Sequence, residues 1–223
     1  MKTPYYHNYV QAVDHPLPEL KETFERETGL LLTYVVETTE AGSAVVDLGC
    51  GIGRPLIDLA FSYATREYFG IDNDPNMIRI AKRRRNRGNV RYKINLSTQN
   101  FLKSNIDSAF SNLTYSTYNS IGHLTDIEKE LLIKEKSRIT KSDGHVITVT
   151  WKRDEQTTEF LQRYYPHIGL KILYSSDNGT VTDQGSFDRV HPSRIMDLYK
   201  KFDIKPVDVQ DLGLWVAAIG RKL

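Results

Sequence analysis

The residues of this chain best placed to do chemistry lie in Val45-Val46-Asp47-Leu48-Gly49-Cys50-Gly51-Ile52-Gly53-Arg54. The run reads as an apolar strand ending in a carboxylate, then a glycine turn, then a helix start. That is the layout of a loop that meets a nucleotide-type cofactor at the end of a parallel strand. Glycines let backbone approach a ligand closely because no Cβ intervenes. A dinucleotide fingerprint would need a third glycine further on for close helix–strand packing, and Arg54 follows Gly53 instead. A phosphate loop would need Gly-Lys followed by Ser or Thr, which is absent. Asp47 would repel a pyrophosphate and attract an amino group. A second carboxylate, Asp72, ends the apolar segment Tyr68-Phe69-Gly70-Ile71. It stands roughly twenty residues beyond the glycines, the separation of two adjacent parallel strands joined by a crossover helix. A carboxylate there can accept two hydrogen bonds from a ribose diol. Asp74, followed by Pro75, reads as a helix cap.

Asp-Leu-Gly-Cys-Gly-Ile-Gly resembles the first motif of class I S-adenosylmethionine-dependent methyltransferases, and Gly-Ile-Asp-Asn-Asp-Pro-Asn-Met resembles their second. The resemblance is strong from Ala44 to Ile80, and after Trp151 it rests on layout alone. It implies an α/β Rossmann-like, doubly wound, seven-stranded and mostly parallel sheet, with an antiparallel strand near the C-terminus and helices on both faces. It implies S-adenosyl-L-methionine as cofactor, contacted by Asp47, by the loop Gly49, Cys50, Gly51 and Gly53, and by Asp72. Cys50 would serve there as a small apolar residue rather than a nucleophile. Asn73 and Met77 fall near the adenine. Many relatives end the third strand in an acid that touches the adenine amino group. By length that place is Leu96, preceded by Asn95, so the contact is expected from Asn95 or from backbone groups. The segment after the fourth strand faces the reacting methyl, which brings in Thr117, Tyr118, Asn119 and His123. Asn-Ser-Ile-Gly-His-Leu resembles that segment in small-molecule methyltransferases, including amine N-methyltransferases.

Methyl transfer demands alignment and exclusion of water more than a catalytic group, and a base only where the acceptor must lose a proton. His123 is the candidate base or acceptor contact; a helix-start histidine is the alternative. Tyr5, Tyr6 and Tyr9, with His7, make an N-terminal aromatic cluster that would either cover the cofactor or pack on the core. Aromatic faces would favour a cationic sulfonium or amine. Trp151 lines an acceptor pocket or the core. Arg189 pairs with an acceptor carboxylate or stays at the surface, and His191 lies beside it. The basic run Lys82 to Arg85, with Arg87, reads as a solvated helix face, with RNA contact as the alternative. No metal-ligand spacing is present.

The chain has 223 residues, 39% hydrophobic, and a net charge of +2. One α/β domain of that size buries an ample core. The charge does not suggest a dedicated nucleic-acid binder, and no apolar run reaches the roughly 18 residues of a spanning helix. A lone cysteine and no apparent signal peptide make a reducing cytoplasm the expectation. Residues 1–43 are expected to form a helical lid or cap on a methyltransferase domain spanning 44–223.

Periodicity predicts a helix from Pro18 broken at Gly29, a second from Leu30 to Val36, and strands at Ala44–Leu48, Glu67–Ile71, Val90–Asn95, Leu113–Tyr118 and His145–Trp151. Helices are expected at Pro55–Tyr63, Asn76–Arg87, Asp126–Ile139 and Ser193–Lys201. Asn178-Gly179 predicts a hairpin between Lys171–Tyr174 and Thr180–Val190. Ile204–Val209 and Trp215–Ile219 are separated by too short a link for a crossover and are expected to be antiparallel. The expected function is methyl transfer to nitrogen or oxygen of a small-molecule acceptor. The rivals are an RNA or protein methyltransferase and a non-catalytic cofactor-binding partner protein.

Overall fold

β1 (Ala44–Leu48) is buried along its whole length, as a central strand covered on both faces must be. The computed structural model that shows this describes residues 5–88 and 94–223, with side chains from Val10 onward. Before β1 come α1 (Tyr5–Asp14) and α2 (Pro18–Thr38). After it come α3 (Arg54–Ser62), β2 (Glu67–Asp72), α4 (Pro75–Arg87), β3 (Ile94–Thr98) and β4 (Ser111–Ser116). A 3-10 turn at Ser120–His123 leads to α5 (Asp126–Ile139), β5 (Thr140–Trp151) and α6 (Glu155–His167). β6 (Ile172–Ser176), β7 (Gly179–Thr182) and β8 (Gly185–Asp188) precede α7 (Pro192–Lys201), β9 (Ile204–Asp211) and β10 (Trp215–Lys222).

The main sheet has seven strands in the order β3-β2-β1-β4-β5-β10-β9. β1 pairs in parallel with β2 and β4, as do β2 with β3 and β4 with β5. β10 runs antiparallel to both β5 and β9. The Rossmann-like sheet with one reversed strand is therefore present. The order reverses at β1 and β4, and ligands of such sheets bind outside the carboxyl ends there. Alternate residues of β1 enter two cores: Val45 joins α2, α3 and α6 side chains, and Val46 joins those of α5 and α7. No helix among the described residues is long and apolar enough to cross a membrane.

α2 does not break at Gly29. Its buried stripe, Leu20, Phe24, Glu27, Leu31 and Val35, repeats every three or four residues through that position. A mid-helix glycine costs about 1 kcal/mol, which burial of this stripe outweighs. β3 runs on past its expected end, to Thr98; its expected start at Val90 lies outside the described residues. β4 ends earlier than expected because Tyr118 and Asn119 turn into the left-handed region, with φ of 50° and 57°. No element is predicted from sequence over residues 152–170. There α6 starts on an Asp154 cap, which accepts from the Thr157 amide at 2.8 Å, and buries Phe160, Leu161, Tyr164 and Tyr165. The predicted hairpin is present between β6 and β7, and a second turn at 183–184 adds β8, making a separate three-stranded sheet. α4 carries the expected cap: Asp74 accepts from the Asn76 amide at 2.8 Å, with Pro75 in the first turn.

Close packing of β1, β2 and β3 leaves no room beside Gly70. A Cβ there would stand 2.7 Å from Leu96 Cδ2, 2.9 Å from Leu56 Cδ2 and 3.0 Å from Cys50 Sγ. Gly70→Ala is expected to lower stability by about 1–3 kcal/mol, the usual cost of overpacking. Urea unfolding followed by tryptophan fluorescence checks this, and an unchanged midpoint would contradict the packing.

Candidate active site

The glycine loop is tied to the end of β2 by backbone. Gly49 and Cys50 donate their amides to the Ile71 carbonyl at 2.8 and 3.0 Å. Gly49, Gly51 and Gly53 have φ of 81°, 51° and 73°, a region glycine enters at little cost. At Gly49 there is a second constraint, since a Cβ would lie 3.1 Å from Ser120 Oγ. Asp72 closes the loop from the other side. Its Oδ2 accepts from the Gly51 amide at 2.8 Å and its Oδ1 from the Asp74 amide at 2.9 Å. Each oxygen keeps lone-pair capacity for a further donor. Burial pushes the Asp72 pKa up, against the pull of these amides.

Asp72 faces a cavity of about 200 Å³. Gly49, Gly51, Asp72, Asp74 and Met77 line it together with Phe101, Tyr118, Ser120 and His123. Asn73 Oδ1 accepts from the Phe101 amide at 3.0 Å and so fixes that ring's segment. Ser120 Oγ donates to Thr117 O at 2.8 Å and Gly49 O at 3.2 Å, which holds the turn after β4 against the loop. Asn119 Nδ2 donates to Asp188 O at 3.1 Å, and its Oδ1 accepts from Thr150 Oγ1 at 2.8 Å. The His123 ring stands edge-on to Phe187, centroids 4.9 Å apart. Desolvation by the surrounding protein pushes the His123 pKa down to about 4, although the residue itself is exposed to solvent. At neutral pH the imidazole is uncharged.

Of the residues expected at the site, Gly49, Gly51, Asp72, Met77, Tyr118 and His123 share this cavity. Asp47, Cys50, Thr117 and Trp151 are buried behind it. Gly53 caps α3. Asn73 and Asn119 act through the neighbours they hold. Asn95 and Leu96 sit within the strand, opposite Phe69 and Gly70, because β3 ends at Thr98, later than the length argument assumed. Thr98 is the residue level with Asp72. Trp151 packs among Tyr118, Phe160, Tyr164 and Trp215. Arg189 and His191 line a different cavity. Tyr5, Tyr6 and Tyr9 lie on α1, and their side chains are outside the described residues.

Phe101, Ser120 and the pair Glu27–Arg54 were not anticipated as site residues. Glu27 is fully buried on α2 and ion-paired with Arg54. Its Oε1 also accepts from the Tyr118 amide at 3.4 Å, and the Arg54 guanidinium stacks 4.1 Å over the Phe24 ring. The sequence did hold a signal for Glu27: a carboxylate on the apolar stripe between Phe24 and Leu31. Nearby, Asp47 is fully buried with neither oxygen hydrogen-bonded among the described residues. Burial holds its pKa well above the usual carboxylate range, and the Glu27 charge adds to this; Lys136 and Arg54 oppose it.

Burial raises the Glu27 pKa from 4.5 to about 7, with Arg54 opposing. The folded protein thus holds this proton more tightly than the unfolded chain. The resulting stability is fully present below pH 4.5 and is lost as pH rises through about 7. Glu27→Gln is therefore expected to flatten the fall of melting temperature across that window. Thermal melts at a series of pH values check it, and an unchanged slope would remove Glu27 from the account.

A family model described as "Methyltransferase domain" matches residues 45–144. No curated protein sequence matches the chain significantly. Among solved structures, the PH0226 protein of Pyrococcus horikoshii OT3 is similar over 100% of both chains, with a TM-score of 0.76 and 18% identity. A SAM-dependent methyltransferase from Aquifex aeolicus has a TM-score of 0.69 and 13% identity, covering 96% of this chain and 98% of that one. Geranyl diphosphate C-methyltransferase from Streptomyces coelicolor A3(2), solved with Mg2+, geranyl diphosphate and S-adenosyl-L-homocysteine, has a TM-score of 0.64 and 14% identity, over 100% of this chain and 87% of that one. The methyltransferase-domain match spans 45–144, and the structural likenesses, with the strand order, show that the chain has the fold of these methyltransferases.

Proposed function

We propose that the protein transfers a methyl group from S-adenosylmethionine to a nitrogen or oxygen of a small molecule. The observation that carries this is the single cavity lined by Asp72 and the glycine loop together with Tyr118 and His123. The residues present fit the cofactor. Asp72 has acceptor capacity left for ribose hydroxyls, Met77 and Phe101 offer apolar contact for adenine, and Asp47 is a buried carboxylate still lacking a donor. When bound, the cofactor supplies an electrophilic methyl on a sulfonium with a good leaving thioether.

The chain's own residues then have three tasks. The loop and Asp72 fix where the methyl sits, since alignment supplies most of the rate in such a displacement. Tyr118 and Phe101 present aromatic rings, which favour a neighbouring cation. His123, neutral at pH 7, orients an acceptor amine or hydroxyl by hydrogen bonding and is too weakly basic to hold its proton. Of residues 1–43, the described helices α1 and α2 act as a cap. The geranyl diphosphate enzyme acts on a small molecule, which supports that class of acceptor, and the lone buried Cys50 suits a reducing cytoplasm.

Incubation with methyl-labelled cofactor and a metabolite extract is expected to give a labelled low-mass product. Label appearing only in added RNA or in protein would contradict the small-molecule reading. Asp72→Ala is expected to raise the KM for the cofactor by about tenfold or more, as loss of two hydrogen bonds to a charged acceptor implies. An unchanged KM would remove Asp72 from the cofactor site.

A further inference from the structure

The net charge of +2 is unevenly distributed. α4 alone carries six cations, Arg79, Lys82, Arg83, Arg84, Arg85 and Arg87, and no acid. Every Asp and Glu of the chain lies among the residues whose side chains are described, yet of these six cations only Arg84 is ion-paired there, with Asp14 of α1. Arg79 and Arg85 hydrogen-bond to uncharged groups, Asn76 Oδ1 for the first and Asn86 Oδ1 and Ile94 O for the second. Cations four residues apart on a helix, as Arg79, Arg83 and Arg87 are, repel one another. A partner's anions would relieve that repulsion.

Burial of Met77, Ile78 and Ala81 fixes how α4 is turned on the sheet. Arg79, Lys82, Arg83 and Asn86 then form one outward stripe, spaced i, i+3, i+4 and i+7. They are exposed and line a groove of about 380 Å³ that also includes Thr98. Lys82 is shared with a second groove, of about 520 Å³, beside the edge strand β3, where Arg85, Asn95 and Gln99 join it. Neither groove has a carboxylate in its lining, and neither shares a lining residue with the Asp72 cavity.

From Arg79 to Arg87 the helix runs about 12 Å, too far for one small anion and suited to a row of them. No exposed large apolar side chain lies on α4 or β3 among the described residues. The face thus offers neither the apolar anchor of a protein interface nor the apolar wedge of a membrane-surface helix. A duplex major groove takes a helix that stands clear of its neighbours, whereas α4 is tied to α1 through Arg84 and Asp14 and to β3 through Arg85 and Ile94 O. Asn95 and Thr98 are exposed polar groups beside the cations, able to bond a ribose 2′-hydroxyl, which both donates and accepts. We propose that the outer face of α4 and the adjoining edge of β3 form a docking surface for single-stranded RNA, held through its phosphodiester backbone. Guanidinium groups suit this role because their paired N–H donors match phosphate oxygens. The surface is apart from the methyl-transfer site, so the proposal stands whichever molecule receives the methyl.

The test is fluorescence anisotropy of the full chain with a labelled oligouridylate. Arg79→Gln/Lys82→Gln/Arg83→Gln changes only exposed side chains, and Lys21→Gln/Lys134→Gln/Lys171→Gln removes the same charge from exposed positions elsewhere. Five phosphate contacts imply a slope of about −3.5 for log affinity against log salt, and two imply about −1.4. Wild type and the distant variant are expected near the first slope. The α4 variant is expected near the second, with a Kd raised about tenfold or more at low salt. S-adenosylhomocysteine affinity, measured by calorimetry, is expected to be equal in all three proteins, and the matching oligodeoxyuridylate is expected to bind more weakly than the RNA. Absence of RNA binding by wild type at low salt, equal weakening in the two variants, or equal binding of the DNA would overturn the docking surface. So would tighter α4-dependent binding to vesicles of equimolar phosphatidylserine and phosphatidylcholine than to RNA.

Discussion

The structure of the site depends on one carboxylate accepting two backbone amides. Asp72 ends β2, Gly51 belongs to the loop after β1, and Asp74 opens α4. One side chain therefore joins two strand ends and a helix start. Charge-assisted bonds of this kind are among the stronger ones in proteins. The glycines make the clamp possible, because the loop can bring the Gly51 amide to Asp72 only through left-handed backbone. The same clamp leaves the outer lone pairs of Asp72 facing the cavity. Folding and ligand recognition thus use different directions of a single group.

Beneath the clamp lies a set of charges almost removed from water. Asp47 and Glu27 face each other's field, offset by Arg54 and by Lys136 from the opposite side of the sheet. Lys136 is held by Ser116 Oγ, Ile147 O and Thr148 Oγ1 at 2.7–2.8 Å, and burial pushes its pKa down. Removing one partner of a buried ion pair commonly costs about 3–5 kcal/mol, whereas replacing both with apolar groups can cost little. Such a set is thus a poor way to gain stability. It does leave the Asp47 carboxyl without a donor among the described residues, beside the glycine loop. Its Glu27 also accepts from the amide of Tyr118, a residue of the cavity lining.

The parts of the fold that could be read from the chain are those set by local spacing. β1, the glycine loop, β2 and the Asp74 cap follow from residues within one βαβ unit, and the reversed β10 follows from a three-residue link. Elements set by distant packing were not legible. Gly29 looked like a break because its neighbours in sequence do not reveal that α2 is held straight by the sheet. The end of β3 was placed at Asn95 rather than Thr98, and this moved the adenine-side expectation to Asn95 and Leu96. Of the site, the glycines, Asp72 and His123 could be found by motif. Glu27 and Arg54 could not be paired from sequence, since 27 residues separate them. Asn119 and Trp151, expected to touch substrate, instead hold the turn and the aromatic core behind it.

The account's central claim is that Asp72, clamped to the glycine loop, receives the ribose of S-adenosylmethionine or its product. A crystal structure of the protein with S-adenosylhomocysteine tests it most directly. The account predicts the ligand in the cavity between the glycine loop and Tyr118, with both ribose hydroxyls within hydrogen-bonding distance of the Asp72 carboxylate. A ligand bound elsewhere, or one in the cavity with its ribose turned away from Asp72, would contradict it.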